Sequence, residues 1–123
     1  DKALRLVGDK LRYAHFHDTR GMGLANAYAA WQAGIRHFDA CLGGIGGCPH
    51  APGASGNVAT EDLAYMLERM GATTGLQVPA LLQLRQQLAQ WLPHERLHGS
   101  LWQAGVICLP QTTPSGGHNA VCA

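Results

Sequence analysis

The sequence has 123 residues, enough for one domain with a hydrophobic core, and 46% of them are apolar while only 14% are charged. A formal net charge of +1 without any basic run argues against nucleic acid as the main partner. No stretch approaches the roughly 20 apolar residues of a transmembrane helix, and the opening DKALRLVGDK lacks the apolar centre of a signal peptide. We therefore expect neither nucleic acid nor membrane as a partner.

The cysteines indicate the compartment. Cys41, Cys48, Cys108 and Cys122 form no CxxC pair, and a domain stapled by disulfides would hold more cysteines in a shorter chain. We expect free thiols in a reducing, cytoplasmic setting. The chain does not start with Met, so we also expect it to begin partway through a longer protein.

The first half of the chain alternates strand and helix patterns. Residues 11–17, LRYAHFH, predict a strand with both histidines on one face. The Ala-rich stretch 23–34 predicts a helix closed by its last glycine, and 35–42, IRHFDACL, predicts a second strand. Residues 43–57, GGIGGCPHAPGASGN, hold six glycines and two prolines in fifteen positions, a density that only a loop tolerates.

Two helices are predicted after this loop. Thr60 is the expected N-cap of the first, with Glu61 and Asp62 at the positive end of the helix dipole and Gly71 at its close. Its buried stripe is formed by four residues at i, i+3, i+4 and i+7: Leu63, Met66, Leu67 and Met70. The second helix, 79–92, carries four apolar residues on one face: Leu81, Leu84, Leu88 and Trp91.

The order of these elements predicts the fold class. Strands that alternate with helices favour parallel βαβ units, and two strands cannot make a closed parallel sheet. We therefore expect an α/β fold that is the C-terminal portion of a larger domain, most simply a truncated TIM barrel with two parallel strands and three or more helices. This portion covers residues 1–105, and we expect 106–123 to form an irregular or disordered tail.

The histidine pair is the first candidate site. Alternate strand positions put His15 and His17 about 6.5–7 Å apart along one face, within reach of a single metal ion. At the C-terminal end of a barrel strand that face lines the mouth of the active site, and Asp18 begins the loop that follows. The alternative is a pair of hydrogen-bonded histidines at a barrel rim, and the spacing leaves both open.

The glycine-rich loop holds two further candidates. Cys48, beside a proline, can approach a substrate closely, although a free cysteine more often serves as a small packing residue. Asn57, just before a helix, suits either a capping residue or an oxygen ligand of a hard metal. The loop is not a phosphate cradle, because it lacks both the lysine of a P-loop and the GxGxxG context.

Taken together, HFHDTRGMGLANAYAAWQAG and FDACLGGIGGCPHAPGASGNVATEDLAYMLERMG closely resemble the C-terminal part of the hydroxymethylglutaryl-CoA lyase family. Its members are metal-dependent TIM-barrel lyases related to acyl-CoA synthases. The resemblance runs from about residue 11 to about residue 105. It is strongest in GGIGGCPHAPGASGN, where several motifs agree in order and spacing.

This resemblance implies a metal site and a catalytic residue. In the family, the histidines of HxH and the asparagine of GASGN bind a divalent metal, here through His15, His17 and Asn57. The cysteine of GGCP is the catalytic loop cysteine, here Cys48, and we expect His15 to combine metal binding with a proton relay. The bound ion would be Mg²⁺ or Mn²⁺.

The resemblance also implies supporting residues, and the sequence departs from the family in places. Glu61 and Asp62, in ATED, match acidic residues that support the site, and we add Asp18. Arg20 and His50 stand where many relatives have tyrosine, which can alter substrate preference. The family's first metal ligand, an aspartate beside a catalytic arginine, belongs to an N-terminal half that this sequence does not contain.

Three functions follow as hypotheses. The first is a lyase that cleaves hydroxymethylglutaryl-CoA, or a close 3-hydroxyacyl-CoA, into acetyl-CoA and acetoacetate, acting as a homodimer when full-length. The second is a related acyl-CoA condensing synthase, but such relatives carry a GERxGN-like loop where this sequence has GGCPHAPGASGN. The third is a non-catalytic fragment, because an incomplete barrel lacks one metal ligand and exposes two sheet edges.

Overall fold

The computed structural model describes residues 2–47, 53 and 56–107. The helices are α1 (Lys2–Val7), α2 (Gly23–Gln32), α3 (Thr60–Arg69), α4 (Val78–Trp91) and α5 (Leu101–Ala104). The strands are β1 (Tyr13–His15) and β2 (His37–Asp39). Short 3-10 turns cover Gly8–Lys10 and Leu42–Gly44. None of the helices within these ranges is long and apolar enough to cross a membrane.

The two strands are adjacent and parallel, as the strand–helix–strand order predicted. Tyr13 pairs with His37 and His15 with Asp39, and α2 makes the connection between the strands. Both strands are shorter than the predicted 11–17 and 35–42 because another segment enters where they end.

That inserted segment is 56–60, which joins the ends of both strands. Val58 N donates to Phe16 O at 3.1 Å, while Cys41 N donates to Val58 O at 3.2 Å. Thr60 N then donates to Cys41 O at 3.0 Å. The end of the glycine loop is therefore anchored beside the C-terminal ends of the strands, where a parallel α/β fold places its site.

The core lies between the sheet and the helices, in two clusters. The larger packs α2 and α3 over the sheet, and its buried members are Ala27, Val58, Leu63 and Leu67. The smaller joins α3, α4 and α5 through Ala64, Val78 and Leu101. Of the stripe predicted on α3, Leu63 and Leu67 are buried and the two methionines are half-buried.

Three features differ from the prediction. The N-cap of α3 is Ala59 rather than Thr60, because Thr60 is already helical. On α4, Leu84 is 44% exposed and Trp91 67% exposed, whereas Val78 and Arg85 are buried. The buried face is rotated toward Arg85 because that guanidinium pairs with a buried carboxylate on α3. The two short helices α1 and α5 were not predicted.

The predicted tail lies mostly outside the described residues. Val106, placed in that tail, packs against the smaller core cluster, so ordered packing continues at least one residue past 105. Residues 108–123 lie outside the described ranges.

Candidate functional site

The two histidines lie on the same face at the end of β1. Their ring centroids are 5.2 Å apart in an edge-on arrangement, and both residues are exposed. Because β1 places its odd-numbered positions on one side, His15 and His17 emerge together toward the segment that carries Asn57. The two rings lie on one side of the chain as predicted, although His17 lies two residues beyond β1, in the bridge to Asn57.

His15 has a partner that the sequence did not indicate. Its Nδ1 is hydrogen-bonded to Asp39 Oδ1, and Asp39 is the residue opposite it in the parallel register. A carboxylate on Nδ1 fixes the ring orientation and tautomer and leaves Nε2 for a metal or a proton. The signal for Asp39 was the register itself, since strands that end together place 15 and 39 side by side.

Asn57 is buried, with 7% of its surface exposed, and its amide is held from one side. Nδ2 donates to Ile45 O at 2.8 Å and lies 3.1 Å from Cys41 Sγ. Within the described residues, Oδ1 is buried and accepts no hydrogen bond. A buried amide oxygen without a donor needs a physical explanation, and a hard cation supplies one.

The backbone places Asn57 at the same end of the sheet as the histidines. His17 and Asn57 form an isolated antiparallel bridge, and the neighbouring Asp18 N donates to Gly56 O at 3.0 Å. The backbone of all three predicted metal ligands therefore lies at the C-terminal end of β1. They comprise two imidazoles and one amide oxygen, a donor set that fits a divalent cation but brings no negative charge.

Glycine is required where this loop folds back on itself. A Cβ on Gly56 would lie 2.2 Å from Gly44 O, and one on Gly46 would lie 2.7 Å from Asn57 Nδ2. Both residues also have positive φ, near +98° and +99°. The glycines that predicted a loop are thus needed because the backbone near Gly44 and Gly46 passes very close to the backbone and side chain of Gly56 and Asn57.

Glu61 and Asp62 brace the loops that surround the site. The fully buried Glu61 carboxylate accepts hydrogen bonds from Gly43 N at 3.0 and 3.2 Å. The Asp62 carboxylate accepts from Ser100 N at 2.7 Å and Leu101 N at 3.0 Å. Each acid therefore holds backbone amides rather than reacting atoms.

Asp18 serves the first turn of α2. Its Oδ1 accepts a hydrogen bond from Gly23 N at 2.7 Å, and its carbonyl accepts one from Gly21 N at 2.9 Å. The carboxylate satisfies a free amide at the positive end of the helix and shapes the turn after β1.

Cys48 and His50 lie outside the described residues, so the catalytic role expected of Cys48 stays a prediction. Arg20 is exposed in the turn before α2. Cys41 is a free cysteine, half-buried, and its Sγ contacts the Asn57 amide nitrogen.

Within 2–47 and 56–107, no carboxylate or thiol joins the two histidines to form a complete set of metal ligands. No group of three or more His, Cys, Asp or Glu residues in those ranges is placed to hold an ion. The fit to a metal therefore depends on the buried Asn57 oxygen, which accepts no hydrogen bond from the described residues, and on the histidine pair whose backbone is bridged to Asn57.

Comparisons with known proteins identify relatives of part of this chain. Over 78 residues the chain is 51% identical to hydroxymethylglutaryl-CoA lyase of Pseudomonas mevalonii, an alignment that covers 63% of this chain and 26% of that protein. Over 68 residues it is 59% identical to (R)-citramalyl-CoA lyase of Chloroflexus aurantiacus, covering 55% and 22% respectively. The chain thus spans about a quarter of the length of these curated relatives.

Solved structures give the same result for the fold. An HMG-CoA lyase from Acinetobacter baumannii, in complex with coenzyme A and 3-methylmalate, superposes with a TM-score of 0.75 at 43% identity, over 96% of this chain and 37% of that one. The Bacillus subtilis HMG-CoA lyase gives 0.74 at 43% identity, over 84% and 35%. These relatives are TIM barrels, and the two parallel strands described here correspond to part of such a barrel, not to a closed one.

The family model HMGL-like matches residues 6–88, which is more than half of the chain and includes the histidine pair, the glycine-rich loop and both acids of ATED. The resemblance predicted from those motifs is confirmed, and this chain belongs to the HMGL-like family.

Proposed function

We propose that the protein containing this chain is an acyl-CoA lyase that cleaves hydroxymethylglutaryl-CoA into acetyl-CoA and acetoacetate. Residues 1–105 would form the C-terminal part of its barrel domain. The observation that carries the proposal is the buried Asn57 Oδ1, unpaired within the described residues, beside two histidines at the C-terminal end of a parallel strand. The relatives at 50–60% identity are acyl-CoA lyases, which supports the same class.

A second candidate substrate is (R)-citramalyl-CoA, favoured by the 59% identity to a lyase of that name. The two substrates differ by one methylene between the tertiary carbinol carbon and the free carboxylate. Their cleavage follows the same bond changes, so the described residues serve either substrate. Arg20 and the residues around His50 are the positions where this sequence departs from many relatives and where we expect substrate preference to be set.

The reaction is a retro-Claisen cleavage with a simple balance. A base removes the proton of the tertiary hydroxyl. The carbon that bears this hydroxyl becomes a ketone carbon as its bond to the carbon next to the thioester carbonyl breaks. The bonding electron pair passes to the thioester fragment as an enolate, and an acid protonates the enolate carbon to give acetyl-CoA. Atoms and electrons balance without any oxidant or reductant.

The described residues would divide this work. His15, His17 and Asn57 would hold Mg²⁺ or Mn²⁺, which when bound supplies a Lewis acid for the substrate hydroxyl. Because Asp39 occupies Nδ1 of His15, Nε2 would serve either as a metal ligand or as the acceptor of the hydroxyl proton. Cys48 on the glycine loop would donate a proton to the enolate carbon. Because these metal ligands are neutral, we expect an anionic ligand from a part of the protein outside this chain.

The partners and setting follow from the same proposal. The substrate would be an acyl-CoA, supported by the coenzyme A bound to the Acinetobacter baumannii relative. We further propose a homodimer and a cytoplasmic location, the latter supported by the cysteine spacing and by the free thiol of Cys41.

A coupled assay of the full-length protein tests the proposal. Purified protein is given hydroxymethylglutaryl-CoA or (R)-citramalyl-CoA, and acetoacetate or pyruvate is measured with Mg²⁺, with Mn²⁺ and with a chelator. We expect cleavage that the chelator abolishes and the metal restores, with a higher kcat/KM for hydroxymethylglutaryl-CoA. Consumption of acetyl-CoA in the condensing direction alone would favour the synthase, and no turnover of either substrate would contradict the proposal.

A further inference from the structure

Arg85 is a buried cation on α4 that contacts two partners of the glycine loop. Its Nε lies 3.0 Å from Glu61 Oε1, an ion pair without the alignment of a hydrogen bond, and its Nη2 donates to His98 O at 3.2 Å. The guanidinium also lies over the Trp102 ring, with Cζ 4.3 Å from the ring centroid. A planar guanidinium makes these three contacts together, whereas an ammonium is a single point charge.

Glu61 and His98 both hold Gly43, at the start of the glycine loop. The Glu61 carboxylate accepts from Gly43 N, and His98 N donates to Gly43 O at 2.7 Å. Gly43, Glu61, Arg85 and His98 therefore form a closed ring of contacts. Gly43, a member of this ring, has a φ of +62°, so the ring contacts hold the backbone in a left-handed turn.

The segment that follows Gly43 orients the amide of Asn57. Ile45 O and Gly46 O lie 2.8 and 3.4 Å from Asn57 Nδ2, and Gly44 O accepts from Asn57 N at 3.0 Å. These contacts fix the nitrogen side of the amide and thereby decide where Oδ1 points. If Gly43 moved, the carbonyl groups of the next three residues, which contact Asn57, would move with it and would reorient the proposed ligand.

We propose that Arg85 is a positioning residue that acts through Glu61 and Gly43 to orient the Asn57 oxygen for the divalent metal. This inference rests on the proposed function and extends it to a side chain that contacts none of the three predicted ligands. Without the guanidinium, the buried Glu61 carboxylate loses its cation and no longer holds Gly43 in place. We expect a loss of roughly 10–100-fold in metal affinity, the usual effect of removing a group that supports a ligand from behind.

Isothermal titration of the full-length protein with Mn²⁺ tests this directly. Arg85→Met should weaken Mn²⁺ binding by roughly 10–100-fold, and Arg85→Lys, which keeps the charge but loses the forked contacts, should fall between it and wild type. Val78→Ala is the control, because Val78 is buried on the same helix in the smaller core cluster. It should lower the melting temperature and leave the Mn²⁺ Kd unchanged.

A double-mutant cycle tests the route through Glu61. Glu61→Gln keeps an oxygen for Gly43 N and removes the buried charge, so Arg85→Met should weaken Mn²⁺ binding far less in that background than in wild type. This double variant and Arg85→Lys also serve if Arg85→Met alone does not fold. The inference is overturned if Arg85→Lys and the foldable Met variants keep the wild-type Kd, or if the loss is equal in both backgrounds. Absence of Mn²⁺ binding by the wild-type protein would instead overturn the proposed function itself.

Discussion

At the scale of single residues, the site combines two imidazoles with one buried amide oxygen. Asp39 holds His15 through Nδ1, and the backbone carbonyl of Ile45 holds Asn57 through Nδ2. In each case the atom fixed by the protein is the one opposite the atom expected to act. Such supporting bonds lower the entropy lost when a ligand is bound.

Asp39→Asn is the first prediction at this scale. The amide would weaken the bond to His15 Nδ1, so we expect metal affinity to fall by roughly 10-fold or more and kcat with it. The control is Glu68→Gln. Glu68 lies at the end of α3 far from the site and accepts a hydrogen bond from Thr74 Oγ1, so this variant should keep the wild-type Kd and kcat. Mn²⁺ titration and steady-state kinetics of the full-length protein measure both variants. An Asp39→Asn protein with wild-type Kd and kcat would show that the His15–Asp39 bond plays no part in catalysis.

Cys48→Ala is the second. If Cys48 supplies the proton to the enolate carbon, turnover should fall by roughly 10²–10⁴-fold, the range for loss of a general acid, while metal binding stays nearly intact. Cys122→Ala controls for the loss of a thiol elsewhere in the sequence. A Cys48→Ala enzyme with full activity would refute the catalytic role.

At the scale of elements, contacts hold the two described ends of the glycine loop, 43–47 and 56–57. Its first part is held by Glu61, and its last part, 56–60, is hydrogen-bonded between the ends of the two strands. The two parts touch at Gly44 and Gly56, where no side chain fits. The loop therefore transmits the position of α3 and α4 to the site.

A pair of glycine variants separates steric contact from backbone conformation. Gly56→Ala places a Cβ 2.2 Å from Gly44 O at a φ of +98°, whereas a Cβ on Gly53, at a φ of +78°, meets none of the described residues within 4 Å. Both changes carry a cost of about 1–3 kcal/mol for a non-glycine residue at positive φ. Gly56→Ala should lose additional stability and activity because the two backbone segments must separate. Urea unfolding of the full-length variants measures the difference, and equal losses would contradict the close packing.

Sequence patterns predicted the elements better than their partners. Strand periodicity placed His15 and His17 on one face, and the strand–helix–strand order predicted the parallel pair. Asp39 was missed because its role depends on the register between two strands, which no local pattern contains. Arg85 was missed because leucine spacing on α4 favoured a face with Leu84 and Trp91, whereas a buried carboxylate 24 residues earlier turned the helix toward Arg85.

At the scale of the whole molecule, a cavity lies along each of the two strands of the sheet. A cavity of about 410 Å³ lies along β1, lined by residues such as Leu11, Ala14 and Ile35. Another of about 400 Å³ lies along β2 and α3, lined by Phe38, Leu63 and other residues. In the solved relatives this chain covers little more than a third of the protein, so we expect the rest of a barrel to pack on these two surfaces.

The isolated 123-residue chain should therefore bind Mg²⁺ or Mn²⁺ weakly and show no lyase activity. Its three predicted ligands are neutral, and a divalent ion is held mainly by charged oxygen ligands, so these three alone would bind it weakly. Adding the N-terminal part of the protein, in cis or in trans, should restore both properties. Tight stoichiometric Mn²⁺ binding by the isolated chain, lost on His15→Ala, would mean that these residues form a complete site without further ligands.

The most direct test of the central claim is an Mn²⁺ titration of the full-length protein, comparing wild type with His17→Ala and Asn57→Ala. Wild type should bind one Mn²⁺ per chain. His17→Ala should abolish tight binding. Asn57→Ala should weaken it by roughly 10–100-fold, because Oδ1, which accepts no hydrogen bond from the described residues, is the proposed ligand that the glycine loop positions. Unchanged stoichiometry and Kd in both variants would contradict the assignment of His15, His17 and Asn57 as the metal site.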